Sequence, residues 1–486
     1  MLRVAFLCPD ASVGVPTRFI FCGVGSKIWF SAGLVNRLNV GFPSRRNGFN
    51  SRIPLMAKEG GNSDHNHAHH HETLSFPKGF LWGTATSAHQ VEGNNDNNDW
   101  WQWEQRDRVT GNQKSGLACD HDNRFEQDFD FAAKMHHNAH RFSIEWSRIE
   151  PKPDGWDYAA VEHYRAVLKA LRVRGMKTMV TLHHFTNPLW FAQTGSWERI
   201  DAAYRFARYA AFIARELGNL VDFWITINEP MIFAANGWLN GKWPPGKLSL
   251  TRFLIVKEML ELAHQKAFSE IKKIRKTARI GIAQNIFSYQ LYRPHNFWDR
   301  NFMNWLDRFW NHSFLSNTAG YHDFIGLNYY FHYRLKKFRF NLRQFFADPH
   351  SEQRDASDIG WEIFPPGITE ALITLKEYGK PIYITENGVA TDNDHRRVRY
   401  LLNYLKEIYT AIRSGVDVRG YFYWSLLDNF EWEKGFGPRF GLVDVDFKTQ
   451  RRKLKPSGKI FGQIAHANAI EHRLLKYLGH GIKVPQ

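Results

Sequence analysis

A chain of 486 residues with 43% hydrophobic and 23% charged residues has the balance of an ordinary soluble globular protein, and no apolar run reaches membrane-spanning length without a charge or glycine in it. The formal charge of +16 is spread along the sequence, with no zinc-finger spacing, RNP motif or basic helical stripe, so no nucleic-acid partner is expected. Three cysteines, Cys8, Cys22 and Cys119, exclude a disulfide framework.

Residues 1–75 read as an N-terminal extension without sustained periodicity. Up to Met56 they carry one acidic residue, Asp10, against Arg3, Arg18, Lys27, Arg37, Arg45, Arg46 and Arg52. Two readings stand side by side: an organelle transit peptide over 1–55, or an over-extended start with Met56 as the initiator. The compartment is an organelle in the first case and the cytoplasm in the second. The histidine tract from His65 to His71 lies in a Gly/Asn-rich stretch and reads as linker.

From Phe76 the pattern changes to alternating strand-like and helix-like segments. Strands are predicted at 80–86, 139–144, 177–184, 223–228, 279–285, 323–330, 381–385 and 420–425. Helices are predicted at 125–136, 159–174, 202–217, 250–276, 302–315, 368–378, 397–414 and 457–467. Eight strands alternating with eight helices predict a parallel α/β fold. Length and polar strand ends favour a closed (β/α)8 barrel over 76–472, a single domain, with a short tail at 473–486.

In such a barrel the C-terminal strand ends share one mouth. They would bring there His89 and Gln90, Arg141, His183 and His184, Asn228 and Glu229, then Asn328, Tyr329 and Tyr330. The last two strands would add Glu386 and Trp424, with Glu431 and Trp432 on the following loop. The set is rich in carboxylates, amides and aromatics. It contains no GxxxxGK[ST], GxGxxG or GxSxG motif, so no cofactor is expected. His89, His183 and His184 could be forced into a metal site, but their amide and tryptophan neighbours fit sugar hydroxyls better, and no metal is expected. An aromatic content of 15%, with 18 Trp, also fits a sugar site, since a pyranose C–H face packs on an aromatic plane.

Two carboxylates among amides and tryptophans describe glycoside hydrolysis, in which one acid protonates the leaving oxygen and the other attacks or activates water. Arg141 is a natural partner to keep one Glu ionised. The other would feel that negative charge and hold its proton more tightly, as a general acid requires.

These residues fall within FLWGTATSAHQVEG at 80–93, RFSIEWSR at 141–148, TLHHF at 181–185, TINEP at 226–230, GLNYY at 326–330, ITENG at 384–388, WSLLDNFEW at 424–432 and RFGL at 439–442. With these motifs in this order, the stretch from about 76 to 470 resembles glycoside hydrolase family 1, the β-glucosidase family. The resemblance implies a retaining β-glycosidase with Glu386 as nucleophile and Glu229 as acid/base. Arg141 and Tyr330 would tune Glu386, and Asn228 would bind the sugar 2-hydroxyl. Gln90, His184, Glu431 and Trp432 would bind the other hydroxyls, with Trp424 as the subsite floor and Phe440 beside it. The substrate would be a small-molecule or oligosaccharide β-glycoside, cleaved from its non-reducing end. Glu, not Gln, at 229 supplies a general acid; Glu at 431 suits a neutral hexose, because a carboxylate repels phosphate.

Departures from the family pattern are Phe185 where Trp is common, Asn94 where a small residue is common, and a short stretch between Glu229 and Glu386. They bear on the aglycone side. The basic-aromatic stretch 331–346 is expected to border it and to select aryl or acidic aglycones through Arg334, Lys336 and Lys337.

Overall fold

The predicted strands are short runs that each carry β-branched or aromatic residues, which suits strands buried on both faces. The computed structural model describes residues 73–335 and 355–478 and confirms the barrel. Its strands are β1 (Leu81–Ala85), β2 (Ala139–Ser143), β3 (Lys177–His183), β4 (Phe223–Asn228), β5 (Arg279–Asn285), β6 (Phe324–Asn328), β7 (Ile382–Asn387) and β8 (Val418–Trp424). Each pairs in parallel with its sequence neighbour, and β8 closes on β1 through Gly420–Leu81 to Trp424–Ala85. Ala85, Ala139, Met179, Phe223, Phe324 and Phe422 fill the interior, so the barrel is packed rather than hollow.

The outer helices start where side chains satisfy their first amide hydrogens. Asp157 accepts from Ala159 and Ala160 at 2.8 and 3.1 Å ahead of Tyr158–Val173, and Asn393 accepts from His395 and Arg396 at 3.0 and 3.2 Å ahead of Asp394–Arg413. The helix expected at 302–315 begins earlier and is interrupted: Phe297–Asp307 and Ser313–Asn317 flank a wide π turn at Arg308–His312. Within that turn Asn311 exchanges hydrogen bonds of 3.0 and 2.8 Å with the backbone of Phe287, which follows β5. The irregular turn thus fastens a helix to the C-terminal end of the barrel strands.

The seventh strand was expected to end at Thr385 but runs through Glu386 and Asn387. It bulges between Ile384 and Glu386 against β6, and between Ile384 and Asn387 against β8. A bulge re-aims the side chains beside it. Directly after it, a Cβ on Gly388 would lie 1.8 Å from the Trp424 carbonyl oxygen. Gly388→Ala is therefore expected to destabilise the fold by about 1–3 kcal/mol or more, seen as a lower Tm or loss of soluble protein. An unchanged Tm would mean that the Trp424 backbone can retreat.

Beyond the barrel, Leu74–Ser75 pairs antiparallel with Ala469–Ile470, and Ser288–Leu291 pairs in parallel with His332–Leu335 above β5 and β6. Residues 473–478, expected as tail, form helical turns that bury Leu474 and Tyr477. Residues 1–72 of the extension expected at 1–75, together with Lys336, Lys337 and 479–486, lie outside the described residues. Among the described residues no helix is long and apolar enough to cross a membrane.

Candidate active site

Arg141 is the hub of the mouth. It sits on β2, 1% exposed, in a place where a cation persists only if its donors are used. One terminal nitrogen donates to Glu386 Oε1 and, at 3.1 Å, to the Thr385 carbonyl. The other reaches Asn228 Oδ1 at 2.7 Å, and Nε reaches Thr181 Oγ1 at 3.2 Å. Tyr330 donates its hydroxyl to Glu386 Oε2 at 2.6 Å. Burial and the charges of Glu386 and Glu229 push this phenol well above its ordinary range, so it remains a donor. Glu386 thus has both oxygens engaged, one by a fixed cation.

Glu229 follows β4 at φ 44°, in the left-handed region, and Pro230 starts a short helix after it. Its N–H donates to the Ala283 carbonyl of β5 at 2.8 Å, which fixes the turn. Strained backbone of this kind recurs at functional sites. Among the described residues the side chain forms no ion pair; Oε1 accepts from Asn328 Nδ2 at 2.8 Å and Asn285 Nδ2 at 3.4 Å. Burial first, and the charge of Glu386 second, raise its proton affinity. Two carboxyls of one residue type are thereby set apart, one held by a cation and the other by neutral amides.

Asn228 and His184 share the next layer. Asn228 Oδ1 accepts from Arg141 and, at 3.1 Å, from Asn328, so its amide hydrogens face His184 Nε2 at 3.2 Å. His184 Nε2 must therefore be the acceptor, and its proton resides on Nδ1, which is buried without a partner among the described residues. Burial and the nearby Arg141 charge hold this imidazole neutral. Gln90 Nε2 lies 3.1 Å from Glu431 Oε2 and 2.9 Å from the Phe430 carbonyl, while Ser87 donates to Gln90 Oε1 at 2.6 Å. Burial, then the charges of Glu433 and Glu386, push the Glu431 carboxyl up to about 8.

The aromatic residues form the walls. Trp424 and Phe440 join the top of the barrel's inner cluster, and His184 lies parallel to Trp424 at 5.9 Å. Trp432, at φ 47°, packs against His184, Trp100, Trp243 and Phe185. Phe185 itself has φ 73° and contacts Trp243 at 4.8 Å, so it still contributes to the wall that a Trp would build. Asn94, also among the departures, has φ 56°, a conformation Asn tolerates better than most residues.

The structure brings together the eleven residues to which the resemblance gave roles and adds others. Asn328 had been placed at the mouth without a role; it links Glu229, Asn228 and Thr385, whose hydroxyl donates to Asn328 Oδ1 at 2.7 Å. Asn285 was missed, although a polar residue closing the fifth strand was the available signal. The other two histidines turn to separate partners: His183 to Asn187 at 3.1 Å and His89 to Glu104 at 2.7 Å. Arg334 is not free to receive an acidic aglycone as expected, since it forks onto Glu362 at 2.9 and 3.0 Å.

The profile of glycosyl hydrolase family 1 matches residues 72–319 and 310–470. Beta-glucosidase A of Thermotoga maritima is 32% identical over 456 residues, covering 82% of this chain and 99% of that protein. A beta-galactosidase of Sulfolobus acidocaldarius is 31% identical over 480 residues, covering 82% and 97%. The solved beta-glycosidase from Pyrococcus horikoshii superposes with a TM-score of 0.78 at 38% identity, covering 84% of this chain and 99% of its own. With the profile spanning the whole barrel and relatives of this similarity aligned nearly end to end, the chain belongs to glycosyl hydrolase family 1.

Proposed function

We propose that this enzyme cleaves β-linked glucosides from the non-reducing end by double displacement, with galactosides and fucosides as further candidate substrates. Glu386 attacks C1 of the sugar while Glu229 gives its proton to the leaving oxygen, and the C1–O bond breaks. Glu229, now a carboxylate, takes a proton from water, which attacks C1 and releases Glu386. Two inversions at C1 give net retention.

The observation that carries this reading is the split between the two carboxyls: Glu386 on Arg141 and Tyr330, Glu229 on Asn328 and Asn285. A nucleophile must be ionised and fixed in place; a general acid must keep its proton at neutral pH. Sugar binding fits the remaining groups. The Nδ1–H of His184, a buried donor with no acceptor among the described residues, suits a sugar oxygen. Gln90, Asn228, Glu431 and Trp432 supply further polar atoms, with Trp424 and Phe440 as apolar surface. Glu431 and Gln90 offer a phosphorylated sugar no cation, so the substrate is a neutral hexoside, a small molecule or an oligosaccharide, and no nucleic acid takes part. The reaction takes place in the cytoplasm, or in an organelle where residues 1–55 act as a transit peptide.

The test is release of p-nitrophenol by the full chain from the aryl β-glucoside, β-galactoside, β-fucoside and β-mannoside. Turnover of the glucoside is expected, with the newly released sugar in the β configuration by NMR. Release of the α anomer would defeat the double displacement, and turnover of none of the four sugars would defeat the substrate assignment.

A further inference from the structure

Trp432 adopts a backbone conformation that L residues rarely hold, so its neighbours must maintain it. One of them is His89, 2% exposed, whose ring lies 9° from parallel to the indole at 5.8 Å. His89 is one residue before Gln90, yet it turns away from the carboxylate pair. Its Nε2 meets Glu104 Oε1 at 2.7 Å and its Nδ1 meets Asn98 Nδ2 at 3.1 Å.

The Asn98 amide has a determined orientation. Its Oδ1 accepts from the Trp101 N–H at 2.8 Å, capping the helix Asp99–Glu104, and its Nδ2 also donates to the Asn95 carbonyl at 3.1 Å. Amide hydrogens therefore face His89 Nδ1, which must accept, and the ring proton is on Nε2, donated to Glu104. The second oxygen of Glu104 accepts from the N–H and hydroxyl of Ser115 at 2.8 and 2.9 Å, so the buried carboxylate is satisfied. Burial opposes charging of the ring; Glu104, Glu145 and Asp99 favour it, with a net upward shift. Asn98 nevertheless offers no acceptor for a second ring proton, so the neutral tautomer is the one that fits.

Helix Asp99–Glu104 thus meets His89 through Asn98 at its start and Glu104 at its end, and Trp100 from the same helix tilts against Trp432 at 4.7 Å. We propose that His89, locked by Asn98 and Glu104, is a positioning residue for Trp432 and thereby sets how tightly the site grips the sugar. This rests on the reading of Trp432 as a sugar-binding side chain given above. The relay acts on the hydroxyl grip and not on bond cleavage, since His89 touches neither Glu229 nor Glu386.

The test is a double-mutant cycle on the full chain, with p-nitrophenyl β-glucoside as substrate. His89→Phe keeps an aromatic face but loses both ring nitrogens. It is expected to lower kcat/KM about ten-fold, mainly through KM, and to change it less than about two-fold when Trp432 is already Phe. An equal loss in both backgrounds, or no loss in the single variant, would overturn the proposal. Should His89→Phe not fold, Glu104→Gln carries the same cycle, since it removes the charge that orients His89 while keeping the side chain's shape; about three-fold against none is expected. Covalent labelling of Glu386 by a 2-deoxy-2-fluoro glycoside is run on the same proteins. Labelling that persists in the His89 variant places its defect in positioning; failure to label the wild type would instead overturn the nucleophile assignment and leave the His89–Trp432 coupling to be judged by the cycle.

Discussion

Glu386→Ala is expected to lower kcat by about 10⁴–10⁶-fold, the scale on which loss of a nucleophile removes a covalent route. The substitution leaves Arg141 buried without its carboxylate and Tyr330 without its acceptor. The vacated space is then a small cationic pocket facing C1. Azide at high concentration should occupy it and attack C1 once, while Glu229 still protonates the leaving group. The product would be an α-glycosyl azide, because one displacement inverts C1 whereas two retain it. NMR of the product reads the configuration directly. Residual hydrolysis above about one percent of wild type, or a β-azide, would remove Glu386 from the nucleophile's position.

Glu229→Gln should produce the second largest loss, about 10²–10⁴-fold with p-nitrophenyl glycosides. Gln keeps an acceptor for Asn328 but cannot give up a proton. The deficit should shrink for dinitrophenyl glycosides, whose leaving groups need less protonation. The pH profile gives an independent reading. Since Glu229 holds its proton more tightly than an ordinary carboxyl, wild-type kcat/KM should fall as pH rises through that elevated value, and the Gln variant should lack this alkaline limb. Stability follows the same sign. The folded state binds this proton more tightly than the unfolded chain, so its contribution is fully present below about 4.5 and is lost as pH rises through the elevated value. The Tm of the Gln variant relative to wild type should therefore increase with pH across that window. A constant difference would show that the proton is not bound preferentially by the fold. The same coupling serves the second half of the reaction. Esterification of Glu386 removes its negative charge, so Glu229 holds its proton less tightly at the point where it must act as a base.

The barrel was legible because eight short strand-like runs alternate with helical stretches, and most of the runs lead into polar residues that admit one common meeting place. All eight strands begin and end within two residues of expectation, while β7 gained Glu386 and Asn387 through a bulge that no local pattern announces. Glu229 and Glu386 were legible as strand-end carboxylates beside asparagines. The support for Glu229 was less so: Asn285 and Asn328 are ordinary strand-end amides until the closed sheet brings them onto one oxygen. Glu104 lies 15 residues from His89 in a tryptophan-rich helix and has no sequence signal tying it to the mouth. Arg334 misled for the opposite reason. A run of cations suggests an open charged surface, but its partner Glu362 stands 28 residues further along the chain.

The closure of β8 on β1 has a consequence for how the chain reaches its native state. Strand β1 gains its β8 neighbour only after residue 424 has been made, and Trp82 awaits a hydrogen bond from its indole to Asn468, 386 residues further on. At about 5–20 residues per second, synthesis from β1 to residue 424 lasts roughly 20–70 s, during which one edge of β1 has no strand to pair with. An open parallel edge is a template for pairing with other nascent chains. Folding of this enzyme should therefore be slow and sensitive to chain concentration, with yields governed by what shields the first strand until the last one arrives.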